Sequence, residues 1–379
     1  MNVSCYKNKA MPLPRSSHRR AALKTLAAIP LFTAARGAFR PHARRDRLPA
    51  HHTPTGFRNT APGFREASRW KFALWMLKRL VGMSTAPGPV YIPRMPDTHA
   101  AASILQQRSS ADASHHTEQS HDTVTWIGHS TALIELEGVT LLTDPVWSSR
   151  AGPLRQIGVP RLNPPGLDWE DLPQIDCVIL SHNHYDHYDR DTIGVLAARN
   201  PQTVFLVPLG MAYALRVQGV VNVHELDWWD AYRFKELTIT CAPAQHFSGR
   251  TLGDRNRTLW ASWSVAGRSK NVFFCGDSGY APLFKEIGAR LGPFSLVILP
   301  IGAYEPRLLM RPIHMDPAEA VQASLDLGAD HMLGVHWGTF LLTDERPDDP
   351  PRRMEEAVRA RGLAHEHFWT FFIGETRSW

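Results

Sequence analysis

Five side chains able to hold a metal ion fall within residues 182–189 of the stretch LSHNHYDHYD, which begins at Leu180, the last residue of the apolar run IDCVIL. His182 and His184 stand two residues apart, so a tight loop leaving a strand here turns both imidazoles the same way. Asp186 and His187 follow and face a neighbouring point. Imidazole and carboxylate are the ligand set that suits catalytic Zn2+, and two clusters of ligands a few residues apart suit two metals. The pattern H-x-H-x-D-H is too specific for a merely solvated polar loop to be the better reading.

A two-metal site needs more ligands than one loop supplies, and the remainder must arrive from other strand ends. Three residues fit: His246 in CAPAQHFSG, Asp277 in FFCGDSGY and His336 in LGVHWGTF. Each follows an apolar, strand-like run and meets glycine or another loop-forming residue, as the histidine cluster does. Taken singly, each is as readily an ordinary polar residue at a strand end.

The elements that must bring these residues together are visible in the pattern. From Thr123, VTWIGHSTALIELEGVTLLTDPVW alternates and turns at Glu137-Gly138, which predicts successive antiparallel strands. A helix is expected at about residues 190–199. Short apolar runs follow (TVFLVP, VNVHEL, LTITCAP, LWASWSV, NVFFCGDSG, LVILPIG, MLGVHWG), with helical patterns at residues 282–291, 316–327 and 352–361. Strands first in runs and then alternating with helices predict sheets covered by helices. No internal repeat is visible.

Residues 1–45 contain no Asp or Glu and several arginines, in the manner of a targeting or disordered segment; Arg19 and Arg20 precede a short, weakly apolar stretch like a twin-arginine export signal. The two expectations for location are therefore export to the periplasm and retention in the cytoplasm, in either case with access to a membrane surface. Residues 46–122 form an N-terminal extension. In it, Trp70, Ala73, Leu74, Leu77, Leu80 and Val81 recur at helical spacing among basic residues, a pattern that suits either packing on the core or a membrane interface. Residues 96–122 read as a linker. The remaining segment, residues 123–379, is the expected catalytic domain.

The net charge of +6 conceals an asymmetry: residues 1–100 carry 18 Lys+Arg against 3 Asp+Glu, and residues 101–379 carry 24 against 33. The globular part is thus mildly acidic, which argues against nucleic acid as a partner. Cys5, Cys177, Cys241 and Cys275 show no paired spacing and read as free thiols. His331, His365 and His367 lack partners at useful spacing, and Trp228 with Trp229 reads as packing.

The order H-x-H-x-D-H, His, Asp, His resembles the metallo-β-lactamase fold across residues 123–372. The segments WIGHSTALIELEGVTLLTDPVWSSRAGP, LSHNHYDHYD, PAQHFSGR, GDSGY, LPIGAYEPRLLMRPIHMDPAEAV and VHWGTFLLTDE narrow the resemblance to the N-acylphosphatidylethanolamine-hydrolysing phospholipase D family and its bacterial relatives. That resemblance implies an α/β architecture, the four-layer αββα sandwich, and two Zn2+ per chain. It puts His182, His184 and His246 on one zinc and Asp186, His187 and His336 on the other, with Asp277 bridging. Phe247, in place of an expected tryptophan, and Asn183, in place of a smaller residue, depart from the family pattern and bear on pocket shape.

The implied reaction is phospholipase D-type attack of a hydroxide shared by the two metals on a phosphodiester, a phospholipid of the N-acylphosphatidylethanolamine type, releasing an alcohol and leaving a phosphomonoester. Asp277 would hold the metals together and Asp186 would fix one metal and orient the water. His314 in RPIHMDP would contact the substrate phosphate or serve as an acid, ahead of a helix capped by Asp316. The resemblance also brings His129 and Asp144 near the site as residues that orient ligands, with Tyr304 and Glu305 as weaker candidates. The alternatives are another hydrolase on the same scaffold, such as a lactonase, and a metal-bound lipid-binding protein without catalysis; the complete ligand set favours an enzyme.

Overall fold

The computed structural model describes residues 48–80 and 122–379. The twin-arginine stretch, Cys5 and most of the expected linker lie outside these residues. Among the described residues two seven-stranded sheets form the frame. The first runs, edge to edge, through Val223–Leu226, Val204–Pro208, Cys177–Ile179, Val139–Thr143, Thr131–Leu136, Thr123–Gly128 and Thr376–Ser378. The second runs through Ala231–Phe234, Leu237–Ala242, Ser262–Ala266, Asn271–Phe274, Phe294–Pro300, Ala329–Val335 and Phe368–Trp369.

Period-two alternation explains why the strands read as unbroken apolar runs. Cys177 and Ile179 face the second sheet, where they join the cluster holding Ile239, Cys241, Trp263 and Phe273. Val178 and Leu180 face outward, against Ile193, Leu196 and Leu215 of the helices Arg190–Arg199 and Ala212–Val217. Leu141 and Leu142, and Leu206 and Phe205, divide the same way. A strand buried on both faces has no polar face to show. The second sheet is covered in turn by Phe284 and Ile287, Ala320 and Val321, and Met354 and Val358. The result is the four-layer metallo-β-lactamase sandwich.

Three of the four helices expected after Thr123 start close to where the pattern puts them. Asp316 caps Pro317–Asp326 through a capping box with Glu319, whose backbone N–H donates to Asp316 Oδ1 at 2.8 Å. The fourth runs over Asp349–Ala360 rather than residues 352–361. Pro350 and Pro351 stand in the first turn, whose N–H groups have no partners to lose, so proline fits there.

The helix of the extension, Arg69–Leu80, corrects one expectation. Trp70, Leu74 and Leu77 do not pack on the core: they are 75%, 41% and 54% exposed. Trp75 is the buried residue, set against Leu309 and Met310 with its Nε1–H donated to Asp344 at 2.6 Å. No described helix is long and apolar enough to cross a membrane.

Candidate metal centre

The residues singled out by spacing sit just beyond the carboxyl ends of strands, on loops that share one edge of the sandwich. His182 and its neighbours follow Cys177–Ile179, His246 follows Leu237–Ala242, Asp277 follows Asn271–Phe274, and His336 follows Ala329–Val335. Strands that end together leave their last side chains over a common point. The turns there are sharp: His129, Asp144 and His336 adopt φ of 53°, 31° and 63°, values uncommon outside glycine. Gly276, at φ 60°, lies so close to Ser181 that a Cβ would stand 2.3 Å from the Ser181 Cβ. Glycine there lets the Asp277 loop pass against the histidine loop.

All seven expected ligand side chains lie in one cluster, nearly all of it buried. Nε2 of His182 is 2.8 Å from Nδ1 of His184, which is 3.3 Å from Nε2 of His246. Beside this group, Nε2 of His187 lies 3.4 Å from Oδ2 of Asp186, and Nε2 of His336 lies 3.5 Å from the same oxygen. Asp277 stands between them. Its Oδ2 is 3.6 Å from His246 Nε2 and 3.9 Å from His182 Nε2, and also 3.2 Å from His187 Nε2; its Oδ1 is 3.1 Å from His336 Nε2.

Hydrogen bonds on the far side of the rings decide which nitrogens face inward with lone pairs. Asp144 Oδ2 accepts from His187 Nδ1 at 2.7 Å and from Ser181 Oγ at 2.5 Å. With its proton given to Asp144, Ser181 Oγ accepts from His182 Nδ1 at 2.8 Å. The carbonyl of Ile313 accepts from His246 Nδ1 at 2.9 Å. The inward Nε2 atoms of His182 and His246 therefore present bare lone pairs, and that of His187 does so whenever its ring is neutral. Two of these face the single Nδ1 of His184, and the third faces carboxylate oxygens.

One proton on His184 Nδ1 can serve only one of the two nitrogens facing it, and His187 Nε2, His336 Nε2 and Asp277 Oδ1 are buried without a hydrogen-bond partner. A divalent cation satisfies this arrangement, so the residues fit a metal at both groups.

The electrostatics of the two halves differ. Burial lowers His182 well below the ordinary histidine value and takes His184 down to about 4 and His246 to about 3, so these rings are neutral donors to a metal. His187 and His336 are also buried, but Asp277 and Asp186 overcome burial and push them up, His336 to about 9. The same histidines hold Asp186 and Asp277 well below the carboxylate range against the effect of burial. Carboxylates thus draw positive charge to this half, which is the field a cation would meet.

His129 and Asp144 lie beside the seven candidate ligands. His129 Nε2 is 2.9 Å from Asp186 Oδ2, and burial followed by the neighbouring His336 lowers it to about 3, so the neutral ring donates to that carboxylate. His314 enters the site as well: it is buried, and its unpartnered Nδ1 is 3.9 Å from Asp277 Oδ2. Tyr304 and Glu305 turn elsewhere, since the Tyr304 hydroxyl donates to Asp349 at 2.7 Å and Glu305 accepts from the Arg307 N–H at 3.0 Å. Sequence reading missed Ser181, the Ile313 carbonyl and Asn59, which contact ligands from outside; no spacing rule signals them.

A family profile described as Beta-lactamase superfamily domain matches residues 140–337. The chain is 41% identical over 263 residues to N-acyl-phosphatidylethanolamine-hydrolyzing phospholipase D 1 of Caenorhabditis elegans, covering 66% of this chain and 74% of that protein. It is 47% identical over 240 residues to an uncharacterized protein of Mycobacterium tuberculosis, covering 62% of this chain and 63% of the relative, so the match spans less than two thirds of that relative's length. Among solved structures, an isothiocyanate hydrolase from Delia radicum gut bacteria superposes with a TM-score of 0.55 at 21% identity, over 68% of this chain and 99% of that one, a likeness of fold.

Proposed function

This chain belongs to the metallo-β-lactamase superfamily of metal-dependent hydrolases, and from that premise we propose that it is a two-zinc phosphodiesterase cleaving phospholipids of the N-acylphosphatidylethanolamine type. The observation that carries the two-metal reading is Asp277, whose carboxylate reaches the nitrogens of both histidine groups. His182, His184 and His246 would hold one ion, Asp186, His187 and His336 the other, and Asp277 both.

Bound there, Zn2+ supplies Lewis acidity that makes water a nucleophile at neutral pH and steadies the oxygens of an in-line displacement. The chain's own residues provide geometry and charge. Asp186, fixed by His129, would offer a carboxylate oxygen to accept the water's proton. Water adds to phosphorus as it gives a proton to Asp186, the P–O bond to the N-acylethanolamine oxygen breaks, and that proton passes to the departing oxygen, so the products are that alcohol and a phosphomonoester. His314, lowered to about 3 chiefly by burial, is neutral at pH 7; this favours a hydrogen bond from its ring to a phosphoryl oxygen over the role of acid.

The substrate class rests on the likeness to the nematode enzyme and on the helix Arg69–Leu80. Exposed Trp70, Leu74 and Leu77 share one of its faces, beside Lys71 and Lys78, a composition suited to the interface of an anionic bilayer. A peripheral membrane surface is accordingly the partner proposed.

The test is elemental analysis of the purified protein alongside turnover of N-acylphosphatidylethanolamine in vesicles, with His184→Ala in parallel. About two zincs per chain and turnover abolished in the variant are expected. Two zincs without turnover of this lipid would leave the metal centre standing and move the substrate to another class, with lactones tried first.

A further inference from the structure

We propose that residues 49–59 are a strap that sets the backbone of His246, with Asn59 a positioning residue of the metal centre; the inference rests on the reading of His246 as a ligand. The side chain of Asn59 grips both polar groups of that one residue. Its Nδ2–H donates to the His246 carbonyl at 2.7 Å, and its Oδ1 accepts from the His246 N–H at 3.1 Å. A carboxamide offers donor and acceptor side by side, so Asn59 replaces the neighbouring strand that His246 lacks once it has left Leu237–Ala242. The ring is held independently by the Ile313 carbonyl. Backbone and imidazole are thus fixed from opposite ends, which defines where Nε2 points.

The strap is fastened at two further places. At its start, Nε2 of His51 and of His52 lie 2.6 and 2.9 Å from the two oxygens of Asp227, and His51 stacks on Trp228 with ring centroids 4.2 Å apart. In its middle, the N–H of Phe57 donates to the Asn256 carbonyl at 2.8 Å and the Phe57 ring is buried. Gly56 permits that approach, since a Cβ there would stand 2.0 Å from the same carbonyl oxygen. Asn256 itself donates its N–H to Ser248, closing the loop that His246 begins. The fastenings bracket the His246 loop from a segment that lies outside the residues matched by the family profile.

A positioning role differs from general bracing because it acts on one half of the centre. Cobalt(II) titration of the full-length protein, read by visible absorption and by equilibrium dialysis, separates the two. Wild type is expected to take up two equivalents. Asn59→Ala should weaken one of them by about 10-fold or more, as for other groups that orient a ligand, and leave the other within about 2-fold. Arg65→Ala, exposed and outside the strap, should match wild type at both.

If Asn59→Ala does not fold, Asp227→Asn, which loosens the far fastening, should weaken the same equivalent in the same measurement. Two equivalents bound by Asn59→Ala as in wild type, or both weakened alike, would overturn the strap while leaving the metal centre intact. A wild-type protein that takes up no cobalt would instead remove the metal centre, and this inference with it.

Discussion

Asp144 and His187 are joined where neither touches solvent: Oδ2 of the carboxylate accepts from Nδ1 of the ring at 2.7 Å, and the same oxygen accepts from Ser181 Oγ. One side chain thereby sets the tautomer of His187 directly and that of His182 through the serine, one ring in each half of the centre. Asn at this position would turn a donor toward one of these partners and lose one inward lone pair. Asp144→Asn is expected to lower metal affinity about 10- to 100-fold while the chain still folds. An activity-against-zinc titration checks it, and superimposable curves for variant and wild type would sink the argument.

Glu137 ties the two sheets together at their turns. It occupies, with Gly138, a two-residue hairpin at φ 49° and 76°, and its Oε1 accepts the N–H groups of Arg268 at 2.6 Å and Ser269 at 3.0 Å in the opposite sheet. Burial pushes the carboxyl up, but these donors outweigh it and hold the value below the ordinary one. A carboxyl lowered in the folded state stabilises above its unfolded pKa and loses that contribution as pH falls through the folded value. Glu137→Gln should therefore cost about 1 kcal/mol at pH 7, allowing for solvent at a turn, and nearly nothing well below pH 4. Urea denaturation at the two pH values measures this; a pH-independent difference would assign the effect to shape and not charge.

The histidine loop was legible as a candidate metal site because its chemistry is local: three histidines and an aspartate within residues 182–187 need no tertiary knowledge to be singled out. His246, Asp277 and His336 were legible at lower resolution, since strand ends can be located but their convergence comes only from the shared sheet edge. What the chain concealed is non-local or carried by backbone. Nothing in the text of the sequence pairs Asn59 with His246, 187 positions away, or gives the Ile313 carbonyl a role. The helix of the extension misled for a related reason. Spacing marked the correct element, but which face is buried depended on Asp344, distant in sequence, accepting the indole of Trp75.

That helix supplies a paired prediction. Trp75 is 9% exposed and Trp70 75%, although the two differ by little more than one turn. Trp75→Ala should destabilise by about 3 kcal/mol or detach the helix locally, because it removes a buried ring and leaves Asp344 with one partner fewer. Trp70→Ser should leave the melting temperature unchanged and weaken sedimentation with anionic vesicles. Melting and vesicle co-sedimentation on both variants decide it: if Trp70→Ser binds vesicles as wild type does, the exposed face is not the membrane contact.

Removal of metal should be felt in stability as much as in activity. His182 Nε2 and His246 Nε2 both face the single Nδ1 of His184, at 2.8 and 3.3 Å, so one proton cannot satisfy both and a bound cation relieves a contact that unfolding would otherwise relieve. A ligand present at 100 times its Kd and bound only by the folded chain adds about 2.7 kcal/mol, which in a domain of this size corresponds to a rise in Tm of roughly 4–5 °C. Adding zinc to chelator-treated protein should produce a rise of that order. His246→Ala should keep part of it, since Asp186, His187, Asp277 and His336 remain. Asp277→Ala should lose most of it, since its carboxylate serves both groups. Differential scanning calorimetry of the three proteins with and without zinc provides the comparison, and an equal zinc-induced shift in all three would show that the ions bind elsewhere.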